Sequence, residues 1–512
     1  CIPFTACLLL ILTADKTGLG AAGATVIVFK ASGKSTIAAG SRLTAASLTS
    51  SEKLTRGELS IAGEVILGKQ DTEEAGGLVG NLWNKSIAGG TLTIEQGGSL
   101  TVHGQISNRG TIVVKGELVR TVVYGGGTAG LAGVHTQSYA GKFIIDGGVV
   151  RTYASPKAPG GENSLSSGVQ IGANTGTSKS VFEMKNNGRM EVEGTLFLGA
   201  NCVGTITDST LKADAVENSG TVTVSGTSVL DIGALTGEIT LADGATLTDS
   251  SVGGTVSAEG SASVAGTTSV DRLVLKGVRG ENSELSIGAD AVVAVKQLEV
   301  GTGLQKPDLV PGDTAAREYF SKAQIDGTLT VDRANQSGAI YIRPYAELVV
   351  TGTLNVKGEV HNRGSLVVDG GTMNISDWET PKLLGYTTGD SLTVTNQGSM
   401  ILTGVSAVTF GEAHASLAEM GVEAQYADGM FATISAGGKF EADTLAFRND
   451  DDVTLTVTGE GSSFKLYSAS GRTVAGTYNY AVNEGAIIVA EKASFDVSGL
   501  ANAEFVNSGS IT

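Results

Sequence analysis

A nineteen-residue phrase that occurs twice limits the fold of this chain more than any other feature. The first copy is GSLTVHGQISNRGTIVVKG, residues 98–116, and the second is GTLNVKGEVHNRGSLVVDG, residues 352–370. Laid over each other without a gap, they agree at 10 of 19 positions. In each copy, alternating β-branched residues surround an Asn-x-Gly step. The alternation predicts short strands, and Asn-x-Gly predicts a tight corner, because Asn and Gly tolerate left-handed backbone angles.

The same pattern of strand, corner and strand recurs along the chain. Its corner residues are Asn108 and Gly110, Asn186 and Gly188, Asn218 and Gly220, Asn362 and Gly364, Asn396 and Gly398, Asn483 and Gly485, and Asn507 and Gly509. One such unit cannot bury its apolar face alone, whereas stacked units can, which predicts a β-solenoid. An ordinary β-sandwich is the alternative, and the fixed internal spacing argues against it. Stacked corner asparagines are expected to hydrogen-bond along the column, because a buried turn needs polar partners.

Blocks that follow the phrase also match loosely. Residues 145–148 (IDGG) precede the corner at Asn186, and residues 368–371 (VDGG) precede the corner at Asn396. A Pro-Lys pair lies between the block and the corner in both cases. The correspondence predicts an internal duplication of several coils, into which loops of different length were inserted.

Composition favours one long all-β domain. Gly accounts for 73 of 512 residues and aromatic residues for only 5%, which is typical of many corners and slim core side chains. We expect an apolar cap over residues 1–60 and a β-solenoid over residues 61–512. Loop insertions are predicted near residues 151–168, 303–324, 376–390 and 411–430. Helical patterns are confined to residues 315–324 and 412–420, which predict at most two short helices.

The two termini differ from the rest of the sequence. Residues 6–12 form an apolar run that is too short to span a membrane. It is interpreted as a remnant of a targeting segment, as a lipoprotein start acylated at Cys1, or as an apolar first coil, the last being favoured. Residues 505–512 stop within a copy of the phrase, which predicts either a fragment or an exposed edge that supports end-to-end self-association. Cys1, Cys7 and Cys202 do not make a disulfide framework.

The formal net charge of −17 argues against a nucleic-acid partner, which requires clustered Lys and Arg. The densest acidic runs are residues 449–452 (NDDD) and 71–74 (DTEE). Oxygen-rich runs of this kind are candidates for calcium binding. Neither has the spacing of a known calcium loop, so solvated loops are the favoured interpretation, and no cofactor is predicted.

No catalytic or metal-binding residue is predicted. Polysaccharide hydrolases with a parallel β-helix carry Asn-Thr-Asp, Asp-Asp, Gly-His-Gly and Arg-Ile-Lys motifs on successive coils. Only the second has a counterpart here, at Asp450-Asp451. The histidines share no repeated slot, apart from one that lies within the phrase; they are His103, His135, His361 and His414. Each is expected at the surface.

The long loops are the candidate recognition elements, since loops on a rigid scaffold usually carry recognition. Trp378 and Tyr386 lie in one such loop, and Pro307 and Pro156 lie in two others.

The Asn-x-Gly phrase, the Gly/Thr/Ser/Val/Asn-rich coils, the few cysteines and the acidic charge together resemble the passenger regions of bacterial autotransporters and related large surface adhesins. The resemblance covers most of residues 60–512. It implies a right-handed parallel β-helix, export, and display outside the cell or on its surface.

The leading hypothesis is therefore a non-enzymatic extracellular structural or adhesive rod of a bacterium, without a transmembrane segment. Expected partners are a host surface or glycan and further copies of the chain, assembled end to end. The alternative is a carbohydrate-active β-helix enzyme or a phage-type tail fibre that binds polysaccharide. That alternative requires carboxylates gathered on adjacent coils.

Overall fold

The computed structural model describes residues 26–29, 34–45, 47–50, 58–68, 81–84, 90–103, 106–108, 110–121, 134–135, 141–153, 169–172, 179–277, 281–302, 320–333, 339–343, 345–376, 391–405, 408–410, 430–451, 453–468, 480–500 and 504–512. These residues form strands, tight turns and connecting segments, and none of them is helical. The strands stack in parallel. The predicted all-β solenoid, a parallel β-helix, is confirmed.

In the first half of the chain the strands are β1 (Val26–Phe29), β2 (Lys34–Ile37), β3 (Arg42–Ala45), β4 (Ser47–Ser50), β5 (Glu58–Ile61), β6 (Glu64–Leu67), β7 (Asn81–Asn84), β8 (Thr91–Ile94), β9 (Ser99–His103), β10 (Ile106–Asn108), β11 (Thr111–Val114), β12 (Glu117–Thr121), β13 (Val134–His135), β14 (Lys142–Asp146), β15 (Val149–Thr152), β16 (Val169–Ile171), β17 (Ser180–Lys185), β18 (Arg189–Leu198), β19 (Cys202–Thr207), β20 (Thr210–Asn218), β21 (Thr221–Ser225), β22 (Thr227–Thr236), β23 (Glu238–Leu241), β24 (Ala245–Thr248) and β25 (Ser251–Ala258).

In the second half they are β26 (Ser261–Ala265), β27 (Thr267–Lys276), β28 (Ser283–Ile287), β29 (Val292–Thr302), β30 (Ser321–Ile325), β31 (Thr328–Asp332), β32 (Ile340–Ile342), β33 (Ala346–Val350), β34 (Thr353–Lys357), β35 (Val360–Asn362), β36 (Ser365–Asp369), β37 (Thr372–Ser376), β38 (Ser391–Thr395), β39 (Ser399–Val405), β40 (Val408–Phe410), β41 (Met430–Ile434), β42 (Lys439–Thr444), β43 (Ala446–Asn449), β44 (Val453–Val457), β45 (Ser463–Tyr467), β46 (Tyr480–Asn483), β47 (Ala486–Val489), β48 (Ser494–Gly499), β49 (Glu504–Asn507) and β50 (Ser510–Ile511).

The chain divides into two compact units. Unit 1 comprises Cys1–Thr240 with Ser251–Gly254, and unit 2 comprises Leu241–Ser250 with Thr255–Thr512. The boundary predicted between residues 60 and 61 falls inside unit 1. Strand β5 crosses this boundary, and the strands before it, β2 and β3, pair in register with β5 and β6.

Each regular coil contributes three strands. The first strand follows an Asn-x-Gly corner, the second follows the next turn, and the third leads into the next corner. In unit 1, the first strand β11 pairs with β8 and β14, the second strand β12 with β9 and β15, and the third strand β10 with β7 and β13. In unit 2, β36, β37 and β35 hold the same three positions. Every one of these pairs is parallel and in register.

The core of each unit consists of stacked aliphatic columns. Alternate residues of a strand point inward, and the parallel register places like side chains above one another. Ile112 lies between Leu92 and Phe143, and all three are fully buried. Burying one such side chain contributes about 1.5–3 kcal/mol, so the stabilisation accumulates with each coil. This is why an alternating run of four residues is long enough to hold a coil in place.

The predicted helix over residues 315–324 is wrong where the structure describes it. Ser321–Ile325 is strand β30, which pairs with β28 and β33. Ser321, Ala323 and Ile325 are buried while the residues between them are partly exposed, which is the period of a strand. The insertion predicted at residues 303–324 therefore ends before Ser321. The helix predicted over residues 412–420 lies outside the described residues.

Candidate functional site

The corner between the third and first strands is built around a buried asparagine. Asn108, Asn218 and Asn362 are 0%, 8% and 1% exposed. In each, the side-chain Oδ1 accepts a hydrogen bond of 3.1 Å from the amide of the Gly two residues later. The Nδ2 donates to a carbonyl of the following coil, over 3.0, 2.6 and 2.8 Å. One side chain thus closes its own corner and binds the next coil.

Towards the end of unit 2 the corner asparagines bond directly to one another. Asn449 Nδ2 donates to Asn483 Oδ1 over 2.8 Å, and Asn483 Nδ2 donates to Asn507 Oδ1 over 2.6 Å. The predicted hydrogen bonding along an asparagine column is confirmed here. The sequence analysis missed Asn449 as a corner, because Asp451 replaces the Gly that follows the other corner asparagines.

Asn186 and Asn396 belong to a different corner, and their assignment with the others is corrected here. They lie between a first and a second strand, and both are exposed. Their φ angles of 55° and 52° are left-handed, as are those of the residues that follow them. Two left-handed residues make a tight turn, which the sequence pattern alone does not distinguish from the buried corner.

The duplicated blocks reproduce one contact at this exposed corner. Asn186 Nδ2 donates to Asp146 Oδ1 over 2.6 Å in unit 1, and Asn396 Nδ2 donates to Asp369 Oδ1 over 2.7 Å in unit 2. Each Asp begins the Asp-Gly-Gly step of the matching block. The agreement supports the predicted duplication.

The corner glycines are required by close backbone approach. At Gly220, Gly364, Gly485 and Gly509, a Cβ atom would lie closer than 3.0 Å to carbonyl oxygens of the preceding coil. Contacts this close are essentially never made by real Cβ atoms. The close spacing between coils at this corner therefore requires Gly at this position of the phrase.

A second corner type was missed by the sequence analysis. Asp208 and Asp249 have φ angles of 45° and 46°, and their Oδ1 atoms accept hydrogen bonds of 2.8 and 3.0 Å from the amides of Thr227 and Thr267. Each Asp is preceded by Thr and followed by Ser, and each donating amide belongs to a Gly-Thr step in the next coil. The Thr-Asp-Ser triplet, followed in the next coil by Gly-Thr, was the signal that identifies it.

Sequence insertions adjoin the third strand of a coil. Connections between a first and a second strand are short: the shortest are the single residues Gly226 and Gly266, and the longest runs from Thr458 to Ser462. Long connections instead precede or follow a third strand, at residues 122–133, 153–168, 303–320 and 411–429. The first and second strands therefore form a closely connected scaffold. The differences in connection length between coils lie beside the third strands.

Pro156 and Pro307 fall in connections of this kind, Pro156 between β15 and β16 and Pro307 between β29 and β30. Trp378 and Tyr386 lie between the second strand β37 and the first strand β38. The four residues themselves lie outside the described residues.

Two histidines share a slot that the sequence analysis did not find. His135 lies in the third strand β13 in register with Ser107, the residue before Asn108, and His361 precedes Asn362 in the third strand β35. His103 lies instead at the end of the second strand β9, where its Nδ1 is 2.6 Å from Thr121 Oγ1. Burial lowers the pKa of His103. His414 lies outside the described residues.

A group of ionisable and aromatic side chains lies on the third-strand face of unit 2. It is named the Arg343 cluster and consists of Arg272, Glu299, Tyr341, Arg343, Glu359 and His361. Register places Glu299 beside Tyr341, and Tyr341 beside His361, on consecutive coils. The sequence analysis missed this cluster because its members are spread over ninety residues and come together only through the coil register.

The rings of the cluster form a stack. Tyr341 and His361 have centroids 4.7 Å apart and planes inclined by 12°. The Arg343 guanidinium carbon lies 5.3 Å from the Tyr341 centroid, a cation–π distance. His361 Nε2 lies 2.9 Å from Glu359 Oε2. Stacking and pairing therefore fix the ring planes.

Glu299 joins the two arginines of the cluster. Although only 4% exposed, it accepts hydrogen bonds at Oε1 from Arg272 Nε (3.0 Å) and Nη2 (2.6 Å). Its Oε2 accepts one from Thr302 Oγ1 over 3.0 Å and lies 3.8 Å from Arg343 Nη2. Burying a carboxylate costs free energy unless partners of this kind hydrogen-bond it.

The described residues of the acidic run at 449–452 differ in exposure. Asn449 belongs to the asparagine column, and Asp450 is 1% exposed and accepts from Arg448 Nε and Nη2 over 3.0 and 2.8 Å. Asp451 is exposed, and Asp452 lies outside the described residues. Within the described residues no group of three His, Cys, Asp or Glu side chains is placed to hold a metal; the run at 71–74 lies outside them.

Cys202 is buried in unit 1, and burial raises the pKa of its thiol to about 12. A thiol of that pKa is a core side chain and not a nucleophile. Cys1 and Cys7 lie outside the described residues.

Comparison of the chain with protein-family models, with curated proteins and with solved structures found no match. No helix in the described part of the chain is long and apolar enough to cross a membrane. The fold therefore defines the class of the protein, a parallel β-helix with insertions beside its third strands.

Proposed function

We propose that this chain is a non-enzymatic structural and adhesive protein, exported by a bacterium, in which stacked coils form a scaffold and the third-strand face makes the contacts with a partner. One observation carries the proposal: insertions adjoin third strands, whereas first and second strands are joined by at most a short turn. Loops on a rigid scaffold are where recognition is usually located.

Two further observations support a scaffold role. The corner asparagines use both Oδ1 and Nδ2 in hydrogen bonds that hold the coils together, and the aliphatic columns continue from coil to coil. In a repeat protein each added coil repeats the same interface, so stability grows with coil number without a separate core. The resemblance to autotransporter passengers and surface adhesins supports export and surface display.

The absence of enzymatic activity is tested by incubating the purified chain with neutral and acidic polysaccharides and measuring new reducing ends and unsaturated products. We expect neither to rise above a buffer blank over a day. Steady release of oligosaccharides would contradict the proposal and would favour a carbohydrate-active enzyme. A heat-denatured sample is the control for contaminating activity.

The adhesive role is tested by displaying the chain on bacterial cells and measuring attachment to host-cell and glycan-coated surfaces. The matched variant replaces residues 303–319 with a short Gly-Ser linker and leaves every described strand intact. We expect attachment to fall in the variant. Equal attachment would argue that these insertions are tolerated sequence without a recognition role.

Self-association is tested by electron microscopy of the purified chain over a concentration series. End-to-end filaments that lengthen with concentration would support a fibre-forming role. Isolated particles at every concentration would leave display and adhesion as the function.

A further inference from the structure

The Arg343 cluster has the chemistry of an anion-binding site. Its two arginines remain 42% and 40% exposed in their side chains although both lie beside Glu299. Arg272 uses Nε and Nη2 on a single carboxylate oxygen. Arg343 lies 3.8 Å from the other oxygen, which is longer than a hydrogen bond. Glu299 therefore does not occupy all the guanidinium N–H groups of either residue, and both side chains are partly exposed.

The cluster is also preorganised. Glu359 pairs with His361, His361 stacks on Tyr341, and Tyr341 lies under the Arg343 guanidinium. Glu299 in turn fixes Arg272 through two hydrogen bonds. An arginine whose plane is already fixed loses less side-chain entropy when it binds a carboxylate or sulfate in a two-pronged arrangement.

The arrangement of the cluster favours a linear polymer over a compact ligand. Arg272, Glu299, Tyr341 and His361 lie on successive coils, so the donors and rings recur along the stacking direction at intervals of about 4.8 Å. The net charge of −17 disfavours a polyphosphate, whose charge density is high, more than it disfavours a polymer with one charge per sugar. Aromatic edges beside the arginines provide apolar contact for sugar C–H groups.

We propose that the Arg343 cluster binds the carboxylate or sulfate groups of an acidic polysaccharide. The inference deepens the proposed adhesive function and rests on it, since it names the class of partner for the third-strand face. The bound anion is held by Arg343 and Arg272, while Tyr341 and His361 position the arginine and contact the sugar rings.

The test measures binding of the full chain to immobilised polygalacturonate, dextran sulfate and neutral dextran by surface plasmon resonance. We expect binding to the two acidic polymers, weaker at high salt, and none to dextran. Arg343→Ala is expected to raise the Kd at least about tenfold, because a charge-assisted pair with a ligand is worth about 1.5–3 kcal/mol. Arg343→Lys keeps the charge but loses the planar fork, so it is expected to weaken binding to an intermediate degree.

The matched control is Arg151→Ala, which removes an arginine of similar exposure from the second-strand face of unit 1, where it pairs with Glu117 and Glu191. It is expected to leave the Kd unchanged. Circular dichroism and hydrogen exchange establish that all variants keep their strands.

Each other outcome overturns the proposal in a distinct way. Equal binding to neutral dextran, or equal loss in Arg151→Ala, would remove the role of the cluster. Tighter binding to DNA would reassign it to polyphosphate, and binding of free galacturonate or sulfate without the polymers would reduce it to a site for small anions. Shortening of a bound polymer would instead contradict the proposed non-enzymatic function, so the two failures are distinguishable.

Discussion

The two copies of the nineteen-residue phrase, one in each unit, take the same path through three strands. Residues 98–116 form β9, β10 and β11, and residues 352–370 form β34, β35 and β36. The identical residues include the buried Leu and Val of the second strand and the corner Asn, which makes the same two hydrogen bonds in both units. The copies therefore agree at positions whose side chains are constrained by the geometry of the coil.

At inward positions the copies exchange only one aliphatic residue for another, Ile106 for Val360 and Ile112 for Leu366, and all four are fully buried. Changes of chemical character lie at other positions. His103 in unit 1 corresponds to Lys357 in unit 2, and Ser107 corresponds to His361. The last of these changes contributes a ring to the Arg343 cluster. The fixed positions of the phrase therefore specify the scaffold, and the residues between them are where the two copies differ in chemistry.

The largest expected effect is a difference in the free energy of unfolding between alanine variants of two glycines that align in the phrase. A Cβ at Gly116 would lie closer than 3.0 Å to carbonyl oxygens of Glu95 and Gly98, whereas Gly370 has φ of 73° and its Cβ would make only an ordinary contact of 3.6 Å with the Asn396 carbonyl oxygen. Gly116→Ala should destabilise unit 1 by about 3 kcal/mol through overpacking, and Gly370→Ala unit 2 by about 1–2 kcal/mol through backbone strain alone. Urea unfolding monitored by hydrogen exchange in each unit measures both.

The control for this pair is Gly370→Asn, since Asn is tolerated at a left-handed angle. It should recover most of the loss seen in Gly370→Ala. Equal destabilisation by alanine and asparagine at residue 370 would mean that space, and not φ, sets the requirement for Gly there.

The next effect distinguishes the buried corner from the exposed one. Asn362→Ala removes both the bond to Gly364 and the bond to the Ser391 carbonyl, and leaves a buried amide without its side-chain acceptor. The expected loss is about 2–3 kcal/mol. Asn396→Gly removes an exposed bond to Asp369 and keeps the left-handed angle, so about 0.5 kcal/mol or less is expected. Similar losses at the two sites would contradict the division into two corner types.

Much of this fold was predictable from the sequence, for a definite physical reason. Alternation in runs such as Thr111–Val114 reports burial directly, and Asn-x-Gly reports a corner. The pattern did not separate Asn186 from Asn108. Both a left-handed turn and a buried, hydrogen-bonded corner asparagine favour Asn with Gly two residues later. It missed Asn449, whose corner has no Gly, and the strand at Ser321–Ile325, whose polar outward residues resemble a helix face.

The candidate site was less predictable than the fold. The Arg343 cluster joins residues from successive coils, and the coils differ in length from 17 residues between Thr246 and Ser263 to 40 between Thr395 and Ser435. Without a constant period, the sequence does not show which residues become neighbours. Register supplies that information, and it depends on where each insertion begins and ends.

A smaller effect, and one that depends on pH, is expected at His103, where unit 2 has Lys357. Burial lowers the pKa of His103 in the folded chain, so the unfolded chain binds more protons as the pH falls through the ordinary histidine range. The contribution of His103 to stability is present above its unfolded pKa and is lost as the pH falls through its folded pKa. His103→Gln should flatten the stability of unit 1 between about pH 5 and 7 relative to wild type. An unchanged pH profile would mean that Thr121 keeps the ring equally stable in both protonation states.

The smallest effect is expected when an outward residue is exchanged between the copies. Asn355 Oδ1 accepts a hydrogen bond from Asn374 Nδ2 over 2.9 Å, in a partly buried contact of unit 2. The corresponding residue of unit 1 is Thr101, which is partly exposed in β9. Asn355→Thr should change stability by no more than about 0.5 kcal/mol, because one bond between outward side chains is exchanged for a residue that suits a strand. A loss as large as that of Asn362→Ala would show that outward ladders also hold the coils together, and the distinction between fixed scaffold positions and free outward positions would fail.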